Sequence, residues 1–310
     1  MIKNGKVPLS LGIGVLLFTF FLILALAGPV LAPWPIQKED EDPVHFVGRG
    51  EDWDVIVAPA EPDGEHWFGT DKLGRDVLSL MLHGLRYTLF VSAAIAGLRL
   101  VVGTWLGLYG GMSDKGFRWL EGLGWLGKIP VIILLYFLMM RISIGSQLPV
   151  VELILLQSLL MVMLGIPVVA THVMNKVRQY RKRLSVTVSQ QMGASRGWLI
   201  RKHMFPLLKE DLGVLLVHEM ILVLNLIGQL SLFHIFLGGT DTRMGEGAEY
   251  YSMTHEWLGL LGQGRSAIYT FPWLVLFPLL SYILLVFSLY LISIGLEQKR
   301  ERLYNRHPHL

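Results

Sequence analysis

Six apolar blocks, separated by short polar or glycine- and proline-bearing stretches, organise the chain. They run from about Leu9 to Leu31, Tyr87 to Tyr109, Ile129 to Ile144, Val150 to Val173, Leu212 to Leu237 and Phe271 to Ile294. About 20 apolar residues carry a helix across the hydrocarbon core of a bilayer. The pattern therefore predicts an all-α polytopic membrane protein with six transmembrane helices. The third block is the weakest, because Lys128, Pro130 and Arg141 crowd its ends. The first block also resembles a signal peptide, with Lys3 and Lys6 before it and Ala25-Leu26-Ala27 imitating a cleavage site. Its apolar run is longer than a usual signal core, so a retained helix is expected.

Composition agrees. Charged residues make up 16% of the 310 positions, against about 25% in soluble domains, and the deficit is concentrated in the blocks. The net charge of +3 is too small, and basic-aromatic modules too absent, to suggest a nucleic-acid partner. The chain has no cysteine, which excludes disulfides and thiolate chemistry.

Lysine and arginine set the orientation expected of the spans. Lys3, Lys6, Lys115, Arg118, the basic residues between Lys176 and Lys209, and Lys299, Arg300, Arg302 and Arg306 share one side if there are six spans. The other side carries Glu39-Asp40-Glu41-Asp42 and Glu51-Asp52-Trp53-Asp54. Both termini are thus predicted to be cytoplasmic. The expected division is an N-terminal helix (1–32), an outer loop with an interfacial segment (33–86), a five-helix core (87–296) and a tail (297–310). Within the core lie an inner loop at about 174–210 and an outer loop at about 239–270.

Three polar features stand out. Pro33 to Glu65 is proline-rich and acidic, a solvated outer loop or a surface for another protein, with Trp34 and Trp53 as interface anchors. In the stretch HWFGTDKLGRDVLSLMLHGLRYTL, Gly69, Thr70, Asp71, Gly74, Arg75 and Asp76 predict a turn held by aspartate-backbone bonds and an Arg-carboxylate pair, opening an amphipathic interfacial helix. On the inner side, TVSQQMGASRGWLIRKHMFP predicts two short helices. Ser185 to Met192 forms the first, Gly193 ends it, Ser195 caps the second, and Pro206 stops that one. Thr187, Gly193, Ala194, Trp198, Ile200, Arg201, His203 and Pro206 would then lie on a knob that buries nothing in its own chain. It is either an interfacial helix among headgroups or a docking element.

Chemistry is sparse elsewhere. No GxxxxGK[ST] phosphate loop is present, so no nucleotide is expected on this chain. His218-Glu219 opens like a zinc-protease HExxH motif, but position 222 is leucine. No catalytic residue and no metal site is expected, the ten histidines being scattered. Buried ionisable residues in a span face a bundle interior or a pathway, so His218 and Glu219 are candidates for a helix-helix, inter-subunit or pathway contact. Arg99 and Glu152 are expected to snorkel to span ends.

The stretch from His66 to Leu89 resembles the GTDxLGRDxxSRxxxGxRxSL signature of ABC-importer permeases for dipeptides, oligopeptides and nickel. The likeness continues through Gly103-Thr104-Trp105-Leu106-Gly107 and Tyr109-Gly110-Gly111. It returns in EWLGLLGQGRSAIYTFPWLVLFP, Glu256 to Pro278, which is similar to SWGxMLxxGRxxLxxAPWLxxFP. The resemblance implies a type I importer permease fold in a bacterial or archaeal cytoplasmic membrane. It implies a second homologous permease, two cytoplasmic ATPase subunits that hold ATP-Mg, and an extracytoplasmic substrate-binding protein as partners. It also implies that the inner loop is the family's EAAxxxG coupling element. Gly193, His203 and Pro206 keep its spacing, while Thr187 stands where the family has glutamate, and Leu226 to Leu232 lacks the family's carboxylate. Two other classes stay open: an ion-coupled secondary transporter, which would carry inverted repeats or a convergent polar set, and a non-transporting regulatory relative, which the missing glutamate would suit.

Overall fold

The computed structural model describes residues 8–36, 44–49, 52–113, 131–244 and 248–306. Its helices are α1 (Leu9–Leu31), α2 (Val77–Arg86), α3 (Ser92–Met112), α4 (Val131–Ser143), α5 (Val150–Arg181), α6 (Leu184–Gln191), α7 (Arg196–Leu199), α8 (Phe205–Ser231), α9 (Trp257–Gly264) and α10 (Trp273–Arg306). Two antiparallel hairpins accompany them, β1 (Val44–Arg49) with β2 (Asp52–Val57) and β3 (Thr240–Met244) with β4 (Ala248–Ser252). Five helical rods are long and apolar enough to cross a membrane: Leu9–Leu31, Val77–Met112, Val150–Arg181, Arg196–Ser231 and Trp273–Arg302. The chain is thus a helical, polytopic membrane protein.

Several boundaries differ from the sequence pattern, each for a local reason. The second rod starts at Val77 rather than Tyr87, because a π-helical turn at Tyr87–Val91 joins α2 to α3. The capped turn therefore opens the span itself and not a separate interfacial helix. The third block yields only the 13 residues of α4, about 20 Å at 1.5 Å per residue. Its first residues lie outside the described ones. The helix of the fourth block continues past Val173 to Arg181, and that of the sixth block past Ile294 to Arg306; arginine, lysine and glutamate are good helix formers, so a hydropathy limit is not a helix limit. The fifth block ends early, since 232–237 leaves the helix with His234 at φ 59°.

Packing follows small residues. Helices α3 and α5 run parallel, with Gly103, Gly107 and Gly111 set against Val169, Val173 and Val177. A Cβ at any of the three would lie 2.6–2.7 Å from those valines, so only glycine permits this approach. Four-residue spacing of small residues is the usual means of bringing membrane helices close, because lipid supplies no hydrophobic drive between them. Helices α1 and α10 run antiparallel, Gly14 facing Leu291 and Ile292 and Gly295 facing Leu11.

These contacts give the molecule two ends. At one, Ser10 meets Gln298 and Arg300 meets Asp211. At the other, Trp34 meets Ser79, Trp273 meets Thr70, and Ile144 bridges Thr240. The main core fills the space toward the second end, with Leu80, Leu85, Ile95, Leu135 and Met139 fully buried.

Candidate functional site

The knob at the first end is built as the sequence suggests in its turn chemistry. Helix α6 ends at Gln191, and Gly193 adopts φ +86°, the left-handed conformation that closes a helix at little cost only in glycine. Ala194 N–H reaches back to Ser189 O at 3.1 Å. The Ser195 hydroxyl then accepts from Trp198 N–H at 3.3 Å and starts α7. Thr187 is half-buried and its hydroxyl donates to Arg183 O at 3.2 Å. His203 Nε2 lies 3.4 Å from Ser189 Oγ, and its ring sits 5.3 Å from that of Trp198. Across the glycine corner the two short helices are therefore tied.

Two expectations for the knob are corrected. It does not stand free of its own chain: Val186, Leu199, Met204 and Leu208 are buried against Leu108, Met112, Val173 and Val177, with Ala194 and Ile200 packed beside them. Nor does Pro206 stop the second helix. A π-helical turn at Ile200–Met204 carries the chain from α7 into α8, where Pro206 occupies the first turn. There proline's missing N–H and fixed φ cost little. The knob is thus welded to a rod running to Ser231. Its other face stays open: Leu184, Val188, Met192, Trp198 and Phe205 are exposed, as is Arg201.

At the second end the outer motif folds as a closed unit. Asp71 Oδ1 accepts from Leu73 N–H at 2.9 Å and Arg75 N–H at 3.0 Å, while its Oδ2 takes the Arg75 guanidinium at 3.0 and 2.7 Å. Gly69 and Gly74 supply the positive φ values of the turn, +72° and +78°. Asp76 caps α2 through Ser79 N–H at 2.7 Å and contacts His66 Nδ1 at 3.1 Å. Thr70 accepts from Ala60 N–H through its hydroxyl and from Trp273 Nε1 through its carbonyl. Trp257 donates its backbone N–H to Thr88 Oγ1 at 3.0 Å and its indole N–H to Met81 O at 2.8 Å. The two stretches that are far apart in sequence, around 66–89 and 256–278, are therefore one bonded frame.

Two buried titratable groups sit in that frame. Glu256 caps α9 through Leu258 N–H at 2.8 Å. Burial pushes its carboxyl up to about 7, against the opposing pull of backbone N–H groups. Its Oε1 and the Ser252 hydroxyl lack partners among the described residues and both lie against Gly259. His255, at φ 54°, is held down to about 3, first by burial and then by Arg75 and His83.

Between the ends lies a polar contact absent from the sequence reading. Arg99 does not snorkel. It is 5% exposed, donates to Met161 O at 3.1 and 2.7 Å, and pairs with Glu219 at 3.4 Å. Gly165 makes the room, since a Cβ there would overlap the guanidinium. The pair joins α3, α5 and α8 in mid-span. Glu219 is thereby given a partner within the chain, whereas its neighbour His218 faces outward, so the two do not form one site. Arg99 falls in the middle of its apolar block, and that position was the available signal. Asp211, just beyond the knob, was also missed. It takes Lys176 at 2.7 Å, Tyr180 at 3.0 Å and Arg300, tying α5, α8 and α10. No group of three metal-binding side chains occurs among the described residues. Glu39 to Asp42 lies outside them.

No family model matches the chain. It is similar to curated permeases over most of its length. A putative peptide permease protein of Brucella abortus is 28% identical over 291 residues, covering 92% of this chain and 84% of that one. The dipeptide transport system permease protein DppC of Alkalihalophilus pseudofirmus is 27% identical over 298 residues, 96% of this chain and 86% of that one. The oligopeptide transport system permease protein OppC of Haemophilus influenzae is 27% identical over 292 residues, 91% and 81% respectively.

Proposed function

We propose that this protein is the membrane-spanning permease subunit of an ATP-driven, binding-protein-dependent peptide importer. The observation that carries the reading is the knob: one apolar face anchored in the helix bundle, the other exposed, on a corner fused to a spanning rod. An exposed apolar surface of this kind marks a partner site. Exposed Trp198 beside Arg201 matches the residue types that dominate binding energy at interfaces. Peptide as cargo follows from the names of the relatives.

In this reading the knob seats in a cleft of a cytoplasmic ATPase subunit, one of two that hold ATP-Mg, and this chain itself performs no hydrolysis. Closure of the ATPases moves the knob, and the rod from Arg196 to Ser231 carries the motion past Asp211 and Glu219 toward the outer frame. A second homologous permease completes the pathway, and an extracytoplasmic binding protein delivers peptide. The knob end is taken as cytoplasmic because the basic residues from Lys176 to Lys209 cluster there. The count of six spans then requires the third apolar block, of which α4 is the described part, to cross as well. ATP-driven closure and release shift the pair of permeases between inward- and outward-open states.

Co-purification tests the docking. The double variant W198A/R201A should fold and reach the membrane but lose its ATPase partner; retention of that partner at wild-type stoichiometry sinks the assignment. A second reading has one observation in its favour. Thr187 spends its hydroxyl on Arg183 O and offers no carboxylate, which suits a relative that binds an ATPase without being driven by it. Peptide-stimulated ATP hydrolysis in the reconstituted assembly separates the two.

A further inference from the structure

Beside the outer frame, strand β4, Lys72 of the capped turn, His234 and the end of α9 with Arg265 and Ser266 line an open cavity of about 400 Å³. That is within the ~300–1,000 Å³ typical of small-molecule sites. On one side Lys72 Nζ holds Glu249 Oε1 at 2.7 Å, and Glu249 Oε2 takes the Tyr251 hydroxyl at 2.5 Å. On the other, Arg265 donates to Leu232 O and, at 2.8 Å, to His234 Nε2. An imidazole accepting at Nε2 is neutral and carries its proton on Nδ1. That Nδ1 is buried and without a partner among the described residues. The His234 ring stacks on Tyr250 with centroids 4.2 Å apart.

The charges at this cavity are Lys72 and Arg265 against Glu249, a net of +1 (two cations, one carboxylate). A simple anion site would not place a carboxylate among its cations. A short peptide, by contrast, carries one carboxylate, one ammonium and side chains that vary. The cavity offers a guanidinium with five N–H donors, two of them engaged in the contacts named above, a carboxylate, and tyrosine and imidazole walls that accept apolar groups without selecting among them. Arg265 is exposed at its rim, so a ligand can reach it.

We propose that this cavity is a binding subsite for short peptides with a free C-terminus, Arg265 taking the carboxylate and Glu249, shared with Lys72, taking the ammonium. The assignment of peptide rests on the importer reading above. The charged termini are the ionic groups common to all unmodified linear peptides, so a site that reads both ends and leaves the middle against aromatic walls accepts many sequences. Glu249 gains most by holding its charge, since Lys72 and Tyr251 keep it below the usual carboxylate range.

The full chain in lipid nanodiscs, titrated calorimetrically with trialanine, tests the subsite. Trialanine should bind saturably, and its C-terminal amide about tenfold more weakly, a difference of about 1.4 kcal/mol. R265Q should bind trialanine as weakly as the wild type binds the amide and no longer tell the two apart. E249Q should lose discrimination against the N-acetylated peptide instead. Equal binding of acid and amide by the wild type, or no saturable binding, overturns the subsite. Monodispersity and an unchanged melting temperature of each variant exclude misfolding as the cause. Should R265Q bind trialanine normally while the assembled complex imports peptide, the subsite fails and the importer reading stands. If the wild-type chain binds trialanine as expected but its assembly imports no peptide, the importer reading fails and the cavity stands.

Discussion

The outer frame and the inner knob solve opposite problems with similar residues. In the frame, polar contacts are dense and reach far along the chain: the Asp71 carboxylate alone accepts four hydrogen bonds, and two tryptophans donate across more than 150 residues of sequence, while Glu256 Oε1 and the Ser252 hydroxyl stay without partners among the described residues. In the knob, polar contacts are few and local, and the apolar surface is divided between a buried face and an open one. A turn whose carboxylate is fully engaged, as at Asp71, specifies one arrangement. A corner made by one glycine and one serine cap fixes a shape while leaving its outer face for something else. Under the proposed function the frame holds position and the knob receives a load. Mutations in the first should therefore register as lost stability, and mutations in the second as lost coupling.

The largest effect belongs to the mid-span contact that lies between the two regions. Glu219→Ala leaves Arg99 buried and unpaired, and breaking a buried ion pair from one side costs about 3–5 kcal/mol. Thermal unfolding in detergent should show a large drop, partly restored in the double variant R99M/E219A. A drop no greater than that of a surface variant would mean the pair is dispensable. Next comes the frame. Asp71→Ala strips Arg75 of a buried partner and strands two backbone donors, a loss of about 2–4 kcal/mol, while ATPase co-purification at low temperature persists.

At the knob, Gly193→Ala places a Cβ on a left-handed residue, a cost of about 1–2 kcal/mol, but peptide-stimulated ATP hydrolysis should fall much further than melting temperature. Were the two to fall in proportion, the division between frame and knob would collapse. The smallest effect is a pH dependence. Glu256 has its folded pKa raised to about 7 from 4.5; folding then favours the protonated form, so its stability contribution is full below about 4.5 and is lost as pH rises toward 7. His255, lowered from 6.5 to about 3, acts oppositely: its contribution is present above 6.5 and is lost as pH falls toward 3. Glu256→Gln removes only the first. Its melting temperature relative to wild type should accordingly be higher at pH 8 than at pH 5; a pH-independent difference would place the carboxyl in water.

Much of both regions was legible because their chemistry is local. A left-handed glycine, a serine cap and an aspartate turn act over four or five residues, and Gly193, Ser195 and Asp71 behave as their spacing predicts. Pro206 misled because proline breaks a helix only in its interior, and the π-turn before it makes Pro206 part of a new first turn. Arg99 misled because hydropathy cannot see that Gly165, on another helix, leaves space for a guanidinium.

Sequence alone determined that the chain is a helical membrane protein, where its apolar blocks lie, and which short turns close at each end, since burial from water and backbone preference are properties of neighbouring residues. Only the tertiary structure decided that residues 66–89 and 256–278 bond into one frame, that the knob is anchored by Val186 and Leu199, and that Arg99 meets Glu219. Those outcomes depend on which helices approach closely, and here glycines on one helix and valines on another set that distance together.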